Sequence, residues 1–207
     1  MLVFSNMEKK MYIIMGRSGG GKGTQVDLFK KYLEGKGTEG VHHVTTGGGF
    51  RAFVQGDTFA AKQARLINDR GGLQPGFLAV WNWTNIFINE LKEGETLILD
   101  GAPRKLIEQE ILKDAVPFFG FAHPTIIYLD VSKDWAMDKL RSRGREDDKD
   151  MEAMERKMKW FDDDVYPCVE AYKNDTTYTF VHVNGEQTVE EVHNELIAKL
   201  EAAENSY

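Results

Sequence analysis

A doubly wound α/β fold, with five parallel strands in one sheet, is the architecture this sequence predicts. Three observations carry that expectation. Short apolar or β-branched runs alternate with helix-length segments along the chain, the pattern of a parallel sheet joined by helical crossovers. A glycine-rich loop follows the first run and opens a helix. The length of 207 residues suits one such domain with small insertions.

The first run, Met11-Tyr12-Ile13-Ile14-Met15, leads into Gly16-Arg17-Ser18-Gly19-Gly20-Gly21-Lys22-Gly23-Thr24. Glycines let such a loop turn its backbone N–H groups around an anion, and the helix expected from about Thr24, with the Lys22 ammonium, adds positive potential. The loop therefore predicts a phosphate cradle. Further strands are expected over Val41–Thr45, Thr96–Asp100, Thr125–Val131 and Tyr178–Val183. Each is nearly continuous in apolar or β-branched residues, which predicts strands covered on both faces, with ligands at their carboxyl ends.

The stretch Thr46–Glu93 is too long for a simple crossover. It predicts a helical insert over the sheet edge, with helical patterns over 50–69 and 78–91 separated by Gly71-Gly72-Leu73-Gln74-Pro75-Gly76, and with Trp81 and Trp83 packing it. The charged turn Arg143-Gly144-Arg145-Glu146-Asp147-Asp148-Lys149-Asp150 separates helices expected over 133–142 and 151–172. In the second of these, Met151, Met154, Met158 and Phe161 recur at helical spacing and predict a core-facing stripe. Residues 1–10 read as an extension before the first strand, with Met7 as an alternative start.

Composition narrows the function classes. A formal charge of −7 argues against general binding of nucleic acid or anionic membrane, which favours extended basic surfaces. Anionic ligands must then be held by local clusters of cations. The single cysteine, Cys168, cannot form an intrachain disulfide or a structural zinc site alone, and predicts a reducing, cytoplasmic setting. No apolar run reaches the length of a membrane span, and the opening Met1-Leu2-Val3-Phe4-Ser5-Asn6 is too short for a signal peptide core with its flanks.

The order Gly16-x-x-Gly19-x-Gly21-Lys22-Gly23-Thr24, followed by Gln25, resembles the loop of the adenylate kinase family of nucleoside monophosphate kinases, with Ser18 where that family commonly carries proline. Three further elements support the resemblance. Thr45-Thr46-Gly47-Gly48-Gly49-Phe50-Arg51 is similar to S-T-G-D-x-x-R, with Gly48 in place of the aspartate. Asp100-Gly101-Ala102-Pro103-Arg104 is similar to D-G-F-P-R, with Ala102 for phenylalanine. Lys139-Leu140-Arg141-Ser142-Arg143-Gly144-Arg145-Glu146-Asp147-Asp148 resembles the short form of R-L-x-x-R-G-R-x-D-D.

The resemblance implies a P-loop NTPase fold divided into a core (11–45, 94–142 and 151–207), an acceptor-binding insert (46–93) and a short lid (143–150). It implies an adenylate kinase, transferring the γ-phosphoryl group of ATP to AMP to give two ADP. Gly16, Ser18, Gly19, Gly20, Gly21, Lys22, Gly23 and Thr24 would bind ATP, with Lys139 and Gly185 at its adenine. Thr46, Gly47, Arg51, Gly101 and Arg104 would bind the acceptor. Lys22, Arg104, Arg143, Arg145 and Lys157 would carry catalysis, with Asp147 and Asp148 orienting the lid arginines. Arg156 is the alternative to Lys157 for the same phosphate role.

Asp100 would hold Mg²⁺ through water, and no structural zinc is expected, since the lid lacks the cysteine and histidine sets of some relatives. His42 and His43 are read as residues of a strand and its surface. A monomer free of nucleic acid and membrane is implied. Kinases for UMP, CMP or GMP, or an ATP-binding module without turnover, are the alternatives. A GTPase is disfavoured because no N-K-x-D element is present. AMP-specific members carry glutamine four residues beyond the motif arginine, where this chain has Glu108 and, next to it, Gln109. Helical neighbours differ by about 100°, so one of the two points at the acceptor base. Gln109 is expected there, because an amide complements the adenine edge whereas a carboxylate suits guanine.

Overall fold

The computed structural model describes residues 9–145, 148 and 150–205. The extension expected over 1–10 and the lid expected over 143–150, including Asp147, therefore lie partly outside the described residues. In chain order the elements are β1 (Met11–Gly16), α1 (Lys22–Gly35), β2 (Val41–Thr45), α2 (Thr46–Phe53), α3 (Phe59–Asp69), α4 (Gly76–Asn89), β3 (Thr96–Asp100) and α5 (Leu106–Phe118). They continue with β4 (Thr125–Asp130), α6 (Lys133–Arg143), α7 (Met151–Trp160), a π-helical turn (Phe161–Val165), α8 (Tyr166–Lys173), β5 (Thr179–Asn184) and α9 (Val189–Glu204). The five strands form one sheet in the order β2-β3-β1-β4-β5. All pairings are parallel.

Alternation along the strands divides the core in two. Tyr12, Ile14, Ile98, Ile127 and Leu129 meet Val26 and Phe29 of α1 and Val192 and Leu196 of α9 on one face. Met11, Ile13, Met15, Leu97, Leu99 and Ile126 meet α4, α5, the π turn and α8 on the other, through Trp83, Phe87, Leu112, Phe161 and Tyr172. β1, β3 and β4 are covered on both faces along most of their lengths. β2 and β5 are not, because each lies at a sheet edge and leaves residues partly or fully exposed. Their apolar composition overstated their burial.

The single helical pattern expected over 50–69 is two helices. Thr45 caps α2, its hydroxyl accepting from the Gly48 N–H at 3.5 Å, and Thr58 caps α3 by accepting from Ala61 N–H at 3.1 Å. Two cap residues thirteen positions apart begin two helices, and a turn through Gly56 separates them. Phe50, Val54, Ala64, Leu78 and Ala79 form a small apolar cluster of their own between α2, α3 and α4. Trp83 is buried against the main core, whereas Trp81 is 46% exposed and packs on Phe53.

The helix expected over 151–172 is likewise divided. Pro167 has no amide to give to the carbonyl four residues earlier, and the chain widens into the π turn just ahead of it. Met154 and Met158 face a cluster with Ala136, Met137 and Leu140 of α6. Met151, expected in the same stripe, is 46% exposed, with its sulfur 3.6 Å from Nη2 of Arg141.

Candidate active site

β1 is the central strand, and the loop that leaves its carboxyl end lies between the ends of β3 and β4. Gly21 stands at φ 82° just ahead of α1, which begins at Lys22, two residues earlier than the sequence predicts. Gly19, also at positive φ, packs so tightly that a Cβ there would lie 2.4 Å from the Ala136 carbonyl oxygen. Lys22 Nζ donates to the carbonyls of Gly16 at 2.7 Å and Arg17 at 2.9 Å, which keeps the ammonium under the loop. Burial lowers its pKa to about 8, with the Asp100 carboxylate opposing that shift.

Arg17, which sequence reasoning did not single out, fastens the loop to the π turn. Its Nη2 pairs with Asp162 at 2.7 Å, its guanidinium lies 4.3 Å from the Phe161 ring centroid, and its Nε donates to the Val131 carbonyl.

Two arginines meet on the other side. A methyl group on Gly47 would lie 3.3 Å from Nη1 of Arg51 and 4.0 Å from Nη2 of Arg104, so both guanidinium groups flank the first turn of α2. Arg104 Nε donates to the Gly101 carbonyl at 2.6 Å, and the guanidinium sits 5.4 Å from the Trp160 ring centroid. Thr46 is buried; its hydroxyl donates to the Gly101 carbonyl at 2.8 Å, and Asn82 of α4 donates to its carbonyl at 3.1 Å. The missing aspartate at Gly48 leaves the start of α2 intact because Thr45 supplies the cap.

The lid side is organised by Asp148, whose side chain is only 1% exposed. It accepts from Nε and Nη2 of Arg143 at 2.9 and 2.5 Å and from Nζ of Lys157 at 2.7 Å. Lys157 lines the cleft, while Arg156 pairs with Glu152 on its own helix at 3.2 Å.

One cleft of about 470 Å³ gathers these groups. Ser18, Gly19, Gly21, Lys22, Gly23, Thr24, Gly47, Arg51, Asp100, Gly101, Arg104, Lys139, Arg143, Arg145 and Lys157, all expected site residues, line it. Gly16 lines an adjoining small pocket, and Gly20 is buried beneath the loop against Arg17 and Val131. Lys139 Nζ lies 4.9 Å from the Trp135 ring, and Trp135 had no signal in the motif. Gly185 lines neither pocket; it packs on the end of β4, donating to the Asp130 carbonyl at 2.8 Å.

His43, expected to be only a strand residue, also lines the cleft, with Nε2 4.0 Å from Asp100 Oδ2, and burial lowers its pKa. Trp160 and Gln74 line it too; neither belongs to a motif that could have announced it.

The structure places Glu108 and Gln109, neighbours on α5, in different surroundings. Thr46, Phe50, Gln74, Gly101, Arg104 and Glu108 line a small cavity. Gln109 is buried and lines neither this cavity nor the main cleft. Glu108 sits in the first turn of α5, and its Oε2 reaches back to accept from the Arg104 N–H at 3.2 Å.

The family model for adenylate kinase matches residues 14–177. The chain is 29% identical to the adenylate kinase of Bacteroides thetaiotaomicron over 182 residues, covering 86% of this chain and 91% of that protein. It is 30% identical to the adenylate kinase of Bacteroides fragilis over 188 residues, covering 89% and 94%. With adenylate kinase 1 of a Nostoc species it shares 29% over 188 residues, covering 91% and 97%. A parallel sheet with its glycine loop at the central strand, and a match spanning most of the chain, place this protein in the adenylate kinase family, with a P-loop NTPase fold.

Proposed function

We propose that the protein is an adenylate kinase that transfers the γ-phosphoryl group of ATP to AMP and returns two ADP. One observation carries the reading. Among the described residues, seven cationic side chains, Lys22, Arg51, Arg104, Lys139, Arg143, Arg145 and Lys157, line a single cleft together with two acids, Asp27 and Asp100, in a chain whose net charge is −7. Such a concentration of positive charge suits two polyphosphates brought end to end, and no protein nucleophile is needed for phosphoryl transfer between them.

In this reading the loop N–H groups and Lys22 hold the β- and γ-phosphates of ATP. Arg51 and Arg104 hold the acceptor phosphate in line, and Arg143, Arg145 and Lys157 neutralise the charge that develops on the transferring group. Residues 46–93, with Arg143 and Arg145 on the other side, close over the cleft and exclude water, which would otherwise accept the phosphoryl group.

Asp100 and the Thr24 hydroxyl offer the hard oxygen atoms that Mg²⁺ accepts at the edge of the phosphate cradle. Among the described residues no cluster of three or more His, Cys, Asp or Glu could cage a metal, which suits an ion carried mainly by phosphate and water. When bound, Mg²⁺ would supply positive charge that offsets the charge of the ATP phosphates.

Among the described residues no helix is long and apolar enough to cross a membrane, and the one cysteine is buried. We read the protein as a cytoplasmic monomer. A second reading, with another nucleoside monophosphate as acceptor, is favoured only by Glu108 in the acceptor cavity. A coupled assay of ADP production from ATP·Mg²⁺ with AMP, GMP, CMP or UMP tests both. AMP as best acceptor is expected; turnover with GMP alone transfers the assignment to the second reading, and ATP binding without turnover overturns it.

A further inference from the structure

α4 and α5 lie side by side and turn a shared apolar face outward. A methyl group on Gly76, which opens α4, would lie 3.1 Å from Cγ2 of Ile107 at the start of α5. At the other end Phe87 of α4 meets Phe119, just past α5, with ring centroids 5.7 Å apart. Phe77, Trp81 and Ile88 on α4, and Ile107, Ile111 and Phe118 on α5, each recur at i, i+4 and i+11, which is one side of a helix. That side points away from the one that carries Trp83, Phe87, Leu112 and Val116 into the core. Phe118 is 82% exposed, Phe77 75%, Ile88 71% and Ile107 61%. A contiguous apolar surface of this extent marks a place that something covers.

The chain enters the described fold at the foot of this face. α4 and α5 end just before β3 and β4, whose first residues lie beside Met11 and Tyr12 at the start of β1. Ile88 and Phe118 are therefore the part of the face nearest to β1. Lys9 lies on the α5 side of the sheet, its Nζ 3.7 Å from the place a methyl group on Gly120 would take. Lys10 turns to the opposite layer and pairs with Glu204 of α9 at 2.6 Å. The eight residues before Lys9 can span about 26 Å when extended, and α5, with 13 residues, is about 20 Å long. Met1, Leu2, Val3, Phe4 and Met7 are apolar, and no residue from Met1 to Met7 has a charged side chain.

Charge separates this occupant from a second copy of the chain. Asp114 stands between Ile111 and Phe118 on the same side of α5, Glu110 lies beside it, and both are exposed. α4 has no charged residue, and Lys113 of α5 is engaged by Asp175 at 2.9 Å. Two copies packed through this face about a two-fold axis would bring acid against acid without a cation of the face to offset them. An uncharged segment meets no such repulsion.

We propose that the α4–α5 face is covered by the chain's own amino-terminal segment, with Leu2, Val3 and Phe4 packed across Ile88, Ile111 and Phe118. The cover is intramolecular, so the apolar face leaves water without an oligomer. A chain started at Met7 lacks the three residues that make it.

The test sets the full-length chain beside one that starts at Met7. The probes are anilinonaphthalene sulfonate, whose fluorescence rises on exposed apolar surface, and molar mass from light scattering. The full chain should be a monomer that binds little dye. The shortened chain should bind severalfold more and self-associate as its concentration rises. Ile111→Ser with Phe118→Ser in the shortened chain should remove most of that gain, which assigns it to this face rather than to the cleft. Equal dye binding by the two chains, a gain that survives the serine substitutions, or a full-length dimer whose mass does not depend on residues 1–6 would each overturn the proposal.

A reading on the full-length chain alone stands even where the shortened one does not fold. Ser5→Cys supplies one accessible thiol, because Cys168 is buried. A nitroxide attached there should broaden the methyl resonances of Ile88 and Ile111 and spare that of Ile197, which packs with α9 on the other face of the sheet. Ile197 broadened as much as the other two, or no broadening on α4 and α5, would equally overturn the proposal.

Discussion

Removing the Asp148 carboxylate should destabilise the protein more than any exposed ion pair could. Asp148 is almost wholly enclosed, and it accepts three hydrogen bonds from two cations, Arg143 with 28% and Lys157 with 8% of its side chain exposed. In Asp148→Ala both cations lose their common anion, and the buried Lys157 charge loses its 2.7 Å ion pair. Breaking a buried pair by deleting one partner costs about 3–5 kcal/mol. Arg143 can recover water, and the cleft is open beside Lys157, so we expect about 2–3 kcal/mol here. For a chain of this length that corresponds to a fall of roughly 4–12 °C in Tm, read by differential scanning calorimetry. Saturating ATP should narrow the gap, because its phosphates present negative charge to the same cations. A fall below about 2 °C without ligand would refute the view that Asp148 holds the lid arginine and Lys157 together.

Three further expectations concern catalysis. Lys22→Ala should lower kcat by about 10²–10³ or more, as loss of a preorganised charge at the transferring group does, and a folded variant with near-normal kcat would exclude the assigned donor site. Because Lys22 carries its charge below a pKa of about 8 and loses it above, kcat/KM for ATP·Mg²⁺ in the wild type should decline as pH rises through that value. In stability the sign is opposite: the unfolded chain keeps this proton to about pH 10, so the destabilising contribution of Lys22 should fade between those limits, as urea titrations at several pH values would show. Trp160→Leu removes the ring beside Arg104 and should raise KM for AMP by about threefold to thirtyfold, the span of a cation–π contact, with KM for ATP little changed; an equal rise in both would sink that role. Arg145→Ala should lower kcat far more than it weakens ATP binding measured without acceptor, since the contact belongs to the closed state, and full activity at saturating substrates would leave this arginine as a surface charge.

The strands, the phosphate loop and the order of the motifs were legible in the sequence because each depends on residues close together in the chain. Met11–Met15 followed by Gly16–Thr24 needs no distant partner to specify a strand, a tight loop and a helix start. The apolar runs likewise set β1, β3 and β4 within one residue. Composition could not tell an inner strand from an edge strand, since pairing order comes from the whole sheet, and β2 and β5 are less covered than their residues suggest.

At the candidate site, the motifs supplied the cations but not what positions them. Trp160 beside Arg104, Arg17 against Phe161 and Asp162, and Asp148 between Arg143 and Lys157 are contacts across turns and between helices. On α5, Glu108 reaches back to the Arg104 N–H and lines a small cavity with it, while Gln109 is buried elsewhere. Sequence therefore determined which chemical groups are present and in what order. Only the tertiary structure decided which of two adjacent side chains lines the small cavity beside Arg104, because a helix turns by about 100° per residue and its phase is set by the packing and hydrogen bonds at its first turn.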